Sequence, residues 1–234
     1  MRVLFVGNSH TYFNDMPELF ARMCERLTGE KPEVTMLAFS GRPLAWHRKE
    51  YFSLRFALLH GGVDYCVLQQ QAHPFPGEEE TRAAVEPIIQ LCRKAGAKPV
   101  LFATWAKRAE PEMAVTMSRF YRALSGETGA LLAPIGDLFS KVQAERPDID
   151  LYWKDGAHAS PYGSWLCAAA LAALLCDSRV IEDLPCRGFD FDPKFSDEGG
   201  TPTAEENVDA EAVQLDPEKT RVLGKTVESV LFDK

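Results

Sequence analysis

The chain has 234 residues, 46% of them apolar and 26% charged, which is enough for one substantial core and short for two. With 26 Lys and Arg against 34 Asp and Glu, the formal net charge of -8 speaks against nucleic-acid backbones or anionic lipid surfaces as partners, since both require clustered cations. The six cysteines (Cys24, Cys66, Cys92, Cys167, Cys176 and Cys186) form no C-x-x-C pair and no zinc-like spacing, so buried thiols are expected, with no metal and no cofactor.

In chain order, Arg2 to Val6 is a short apolar run that reads as a strand ending at Gly7-Asn8. Asn14 or Asp15 caps the helix that follows, with Pro17 in its first turn, apolar positions at Met16, Phe20, Met23, Cys24 and Leu27, and Gly29 as its stop. A second strand is expected over 34–39, followed by the loop Ser40-Gly41-Arg42-Pro43 and one long helix to His60-Gly61-Gly62. Residues 64–69, 99–103 and 130–135 supply three further buried strands, each followed by a polar or Pro-rich loop and helical spacing. Strands alternating with helices of this length predict a parallel sheet covered on both faces, a three-layer α/β/α sandwich of flavodoxin-like type with about five parallel strands. Residues 1–185 form the expected main domain. Residues 186–215, rich in Asp, Glu, Gly, Pro and Thr, read as an irregular surface excursion, and 216–234 as a C-terminal helix packing on the same domain. The apolar runs are too short for a signal-peptide core or a bilayer span, so a cytoplasmic location away from membranes is expected.

In an open parallel sheet, ligands bind beyond the carboxyl ends of the strands, where loops meet helix N-termini. The loops so placed contain Gly7-Asn8-Ser9-His10-Thr11, Ser40-Gly41, Gln69-Gln70-Gln71 and Thr104-Trp105. Late in the chain comes Asp155-Gly156-Ala157-His158, just before Ser160, a natural N-cap, and Pro161, a natural first helical residue. An Asp three residues before a His in an irregular turn can hold the imidazole tautomer, so that the far nitrogen takes a proton from a hydroxyl, the logic of nucleophilic acyl transfer.

These residues resemble the SGNH/GDSL hydrolases. Gly7-Asn8-Ser9-His10-Thr11 is similar to block I in a G-N-S-x-T form, Gly41 to the block II glycine, and Asp155-Gly156-Ala157-His158 to the D-x-x-H of block V. Block III departs from the G-x-N-D of better-known members: Val67-Leu68-Gln69-Gln70-Gln71 resembles a largely uncharacterised branch with V-L-Q-x-Q there and a Thr-Trp after the fourth strand. The resemblance implies a serine esterase or deacetylase acting on small esters, O-acetylated carbohydrates among them, with Ser9 as nucleophile, His158 as base and Asp155 orienting it. It also implies an oxyanion hole made by the backbone N–H groups of Ser9 and Gly41 and a Gln amide, with Gln71 the first choice and Gln69 the alternative. Asn8 and His10, flanking the nucleophile, and Trp105, at a strand end, are the expected substrate contacts. Competing readings are an O-acyltransferase using the same residues, a non-catalytic binding module on the same fold, and a nucleotide-binding domain cradling phosphate on the Gly7 to Thr11 loop. The oligomeric state is left open.

Overall fold

The computed structural model describes residues 1–179, 184–190 and 211–233. Five strands, β1 (Arg2–Gly7), β2 (Glu33–Ala38), β3 (Tyr65–Gln69), β4 (Lys98–Phe102) and β5 (Leu131–Ala133), form a parallel sheet in the order β2-β1-β3-β4-β5. β1 sits inside the sheet, in register from Val3 opposite Val34 on one side and Tyr65 on the other. Successive strand residues face opposite ways, and the core divides accordingly. Val3, Phe5, Val67, Val100 and Phe102 belong to one apolar cluster; Leu4, Val6, Cys66, Leu68 and Leu101 belong to the other.

The first cluster is closed by α2 (Met16–Thr28), α7 (Ile135–Glu145), α8 (Pro161–Cys176) and α9 (Pro217–Phe232). The second is closed by α3 (Leu44–Lys49), α4 (Tyr51–His60), α5 (Glu78–Lys94) and α6 (Met113–Thr128). The expected three-layer α/β/α sandwich with five parallel strands is therefore the observed fold. α8 is apolar on every side, and it is buried over nearly its whole length between α2, α7 and α9.

Three local expectations are corrected. The long helix before Gly61 is two helices, broken at Glu50, whose ψ of 47° leaves the helical region. Neither Asn14 nor Asp15 caps α2 through its side chain: both take left-handed backbone angles, and Asn14 donates instead to Ala159 O and Ser164 Oγ, at 2.9 and 3.0 Å. The stretch expected to be irregular has an antiparallel pair at its ends, β6 (Arg187–Asp190) with β7 (Glu211–Gln214); residues 191–210 between them lie outside the described residues. Among the described residues no helix is long and apolar enough to cross a membrane.

Candidate active site

β1 delivers the first component. It ends at Gly7, and Asn8, in extended conformation, accepts the amide of His10 at 3.1 Å through Oδ1, capping the single turn α1 (Ser9–Tyr12). Ser9 thus stands at the start of a helical turn. Gly7 is required by close approach, since a Cβ there would lie 2.4 Å from Thr11 Oγ1 and 2.5 Å from Gln69 Oε1. That same Gln69 oxygen accepts from Asn8 N at 2.8 Å and Thr11 Oγ1 at 3.0 Å, binding the end of β3 to the turn.

The second component is the turn between Trp153 and His158. Gly156, at φ +68°, supplies the left-handed step, while Trp153 N donates to His158 O and Gly156 N to Trp153 O. Asp155 Oδ1 accepts both Ala157 N and His158 N at 2.9 Å, which leaves Oδ2 facing the imidazole. Directly after it, Ser160 caps α8: its hydroxyl accepts from Gly163 N at 3.2 Å and donates to Asp150 O at 2.7 Å.

The two components meet. His158 Nδ1 lies 2.5 Å from Asp155 Oδ2, and His158 Nε2 lies 2.8 Å from Ser9 Oγ. A carboxylate only accepts, so the imidazole proton sits on Nδ1, and the serine hydroxyl donates to Nε2. Burial pushes the Asp155 carboxyl up, but hydrogen bonds from the His158 ring and from the amides of Ala157 and His158 outweigh it, and the group is held below its ordinary value. Phe13 stacks on the His158 ring at 4.5 Å, and His10 meets it edge-on at 4.7 Å. Ser9, Asp155 and His158, 149 residues apart at the extremes, are brought into one hydrogen-bonded chain.

The expected substrate contacts fare differently. Trp105 is 1% exposed, stacked on Phe139 at 4.2 Å, and its indole N–H donates to Ala157 O at 2.8 Å. It therefore braces the Asp155–His158 turn from inside and cannot line an open pocket. Asn8 is also buried, its amide spent on His10 N and, at 3.2 Å, on Arg42 O, so it organises loops and has no face toward solvent. His10 is buried between Trp105, His73 and His158.

At the end of β3, Gln69 points toward Ser9's turn, and its amide nitrogen donates to Gln70 O at 2.5 Å. The strand stops at Gln69, so strand alternation does not carry through to Gln71, which is half-buried. Between them, Gln70 turns to the other loop: its Oε1 accepts Leu44 N and Gln71 N, both at 2.9 Å, while its Nε2 is buried with no hydrogen-bond partner. Gly41 is exposed in the loop after β2, at φ +64°. His47 is buried and bonds Gly7 O at 2.7 Å, fixing the end of β1. His73, Phe13 and Gln70 are the site residues that sequence reasoning missed.

No family model and no curated protein matches the sequence. The fold is SGNH-hydrolase-like, and its solved counterparts include proteins described as esterases and a lipase. The acetylxylan esterase Axe2 of Geobacillus stearothermophilus matches with a TM-score of 0.59 at 15% identity, over 75% of this chain and 92% of that one. The psychrotrophic esterase EstA of Pseudoalteromonas sp. matches at 0.57 and 9% identity, over 75% and 97%. The lipase Lip_vut3 from a goat rumen metagenome matches at 0.59 and 14% identity, over 74% and 97%. At such identities the likeness is one of fold.

Proposed function

We propose that the protein is a serine esterase or deacetylase that hydrolyses small esters through Ser9, His158 and Asp155. The observation that carries the reading is the unbroken chain from Ser9 Oγ through both ring nitrogens of His158 to Asp155 Oδ2. In the first step His158 Nε2 takes the hydroxyl proton as Ser9 Oγ bonds to the ester carbonyl carbon. Collapse of the tetrahedral intermediate breaks the carbon–alkoxide bond, and the imidazolium returns its proton to the departing alcohol. Water then repeats the sequence on the acyl-serine and releases the carboxylic acid. Asp155 holds the Nδ1–H tautomer and offsets the transient charge on the ring.

The oxyanion is received by the backbone N–H groups of Ser9 and Gly41 and by a glutamine amide at the end of β3. Gln71 is half-buried and Gln69 is engaged with Asn8, Thr11 and Gln70 O. The Nε2 of Gln70 is buried without a hydrogen-bond partner, at a cost of about 1–3 kcal/mol, so Gln71 and Gln69 stay the candidates for this donor. Two proteins of the same fold are consistent with the reading: a serine-to-alanine form of Axe2 is a catalytic mutant, and EstA is inhibited by monoethylphosphonate. Transfer of the acyl group to a second alcohol uses the same residues.

Hydrolysis of p-nitrophenyl acetate tests the reading. Ser9→Ala and His158→Ala are each expected to lower kcat by about 10⁴-fold or more, to a residual set by the oxyanion donors alone. A variant lacking Ser9 that keeps the wild-type rate contradicts it.

A further inference from the structure

Behind the proposed nucleophile and base lies a second polar chain that the acyl-transfer steps do not use. His10 Nε2 is 2.7 Å from His73 Nδ1, and His73 Nε2 is 3.1 Å from Trp105 O. A carbonyl only accepts, so the proton positions are fixed in sequence: His73 carries its proton on Nε2, its Nδ1 accepts, and His10 carries its proton on Nε2. His10 Nδ1 is then a bare lone pair, and it is buried without a partner. The His10 ring lies parallel to Trp105 at 5.3 Å and edge-on to His158 at 4.7 Å. Trp105 therefore works in two directions. Its carbonyl holds the turn of Ser9 through His73 and His10, and its indole N–H holds the turn of His158 at Ala157 O.

Charge follows the same arrangement. Burial is the main reason that His10 is held well below its ordinary value, and the nearby His158 and His73 add to it. Burial likewise pushes His73 down to about 4, against the Trp105 carbonyl; Lys107 and His158 lower it further, and Asp155 raises it. Near neutral pH both rings are neutral, so the imidazolium that forms at His158 during acyl transfer meets no second cation from this pair.

We propose that His73 is a positioning residue for the Ser9–His158 pair, acting through the tautomer and orientation of His10. The proposal rests on the serine-esterase reading above. A small misplacement of a catalytic ring is costly, since reacting groups about 1 Å out of place lose on the order of 10²-fold in rate.

Two variants of the full chain test it. His73→Phe keeps a flat ring but removes both hydrogen bonds; His73→Gln keeps one acceptor for His10 and one donor for Trp105 O. The measurements are kcat and KM on p-nitrophenyl acetate, and the nitrogen-15 imidazole spectrum that reads which nitrogen of His10 bears the proton. His73→Phe is expected to lower kcat about tenfold or more with KM within about twofold, and to release the His10 tautomer. His73→Gln is expected to restore the Nε2–H tautomer and bring kcat back to within about threefold. A folded His73→Phe with wild-type kcat overturns the proposal, as does a His73→Gln that restores the tautomer and stays as slow as His73→Phe. A wild type that hydrolyses the ester while His10 carries its proton on Nδ1 overturns the proposal and leaves the esterase reading standing. A wild type with the expected tautomer and no hydrolysis overturns the esterase reading, and the positioning role with it.

Discussion

Asp155 spends its two oxygens on different tasks, and that division makes a sharp prediction. Oδ1 accepts two backbone amides and shapes the turn; Oδ2 receives the imidazole N–H. In Asp155→Asn the remaining oxygen stays with the amides, so the new NH₂ faces His158 Nδ1 and forces the opposite tautomer. The variant should fold normally, because the turn keeps its acceptor, while kcat on an activated ester falls about 10³–10⁴-fold. Thermal melts alongside kinetics separate the two, and an active Asp155→Asn would remove Asp155 from the proposed mechanism. At this scale the sequence showed Ser9, Asp155 and His158 because each sits at a recognisable boundary: a strand end with Gly, or a turn before Ser160-Pro161. It did not show His73 or Gln70, since the irregular chain after β3 has no periodicity to say which side chains turn inward. Trp105 misled for the converse reason. An aromatic residue at a strand end can serve rim or core, and here the stack on Phe139 draws it inside.

The elements around the site act as rigid mounts, and their junctions are where substitutions should be felt most. Gly7 lies where β1, α1 and β3 approach within contact, so Gly7→Ala must push Thr11 or Gln69 aside; overpacking of this kind costs about 1–3 kcal/mol and displaces Ser9 as well. Ser160→Ala loses the cap of α8 and the bond to Asp150 O, at a cost of about 1 kcal/mol. Denaturant melts should rank Gly7→Ala as equal to or more destabilising than Ser160→Ala, with Gly7→Ala alone losing most activity; the reverse order would show that the β1–α1 junction has slack. Strand positions were legible from short apolar runs, and helices from 3.6-residue spacing. The break at Glu50 was not, because both halves continue the same apolar pattern and only the backbone angle at one residue interrupts it. Likewise, the pairing of β6 with β7 joins two segments whose composition alone reads as loop.

For the molecule as a whole, the neutral pair His10 and His73 couples the fold to pH. An unfolded histidine takes up its proton as pH falls through about 6.5, whereas folded His73 resists until about 4. Between these values the unfolded state binds more protons, so stability declines as pH drops, by up to about 3 kcal/mol for His73 alone. The depressed Asp155 acts lower on the scale: its contribution is present above the ordinary carboxylate range and is lost as pH falls below it. Denaturant unfolding at pH 7 and pH 5 should therefore show lower stability at pH 5, with a smaller loss in His73→Gln; equal pH dependence in the two proteins would mean that His73 is not held neutral by the fold. The architecture was the most legible feature of the sequence, because parallel strands demand crossover helices and a doubly covered sheet demands apolar residues on both strand faces, as β1 shows with Val3 and Phe5 on one side and Leu4 and Val6 on the other.

The most direct test of the central claim is intact-mass spectrometry after incubation with a fluorophosphonate, wild type beside Ser9→Ala. The hydrogen-bonded chain from Ser9 to Asp155 predicts a single phosphonyl adduct on the wild-type protein, located at Ser9, and none on the variant. An unlabelled wild type, or an adduct that survives Ser9→Ala, would contradict an activated serine at this site.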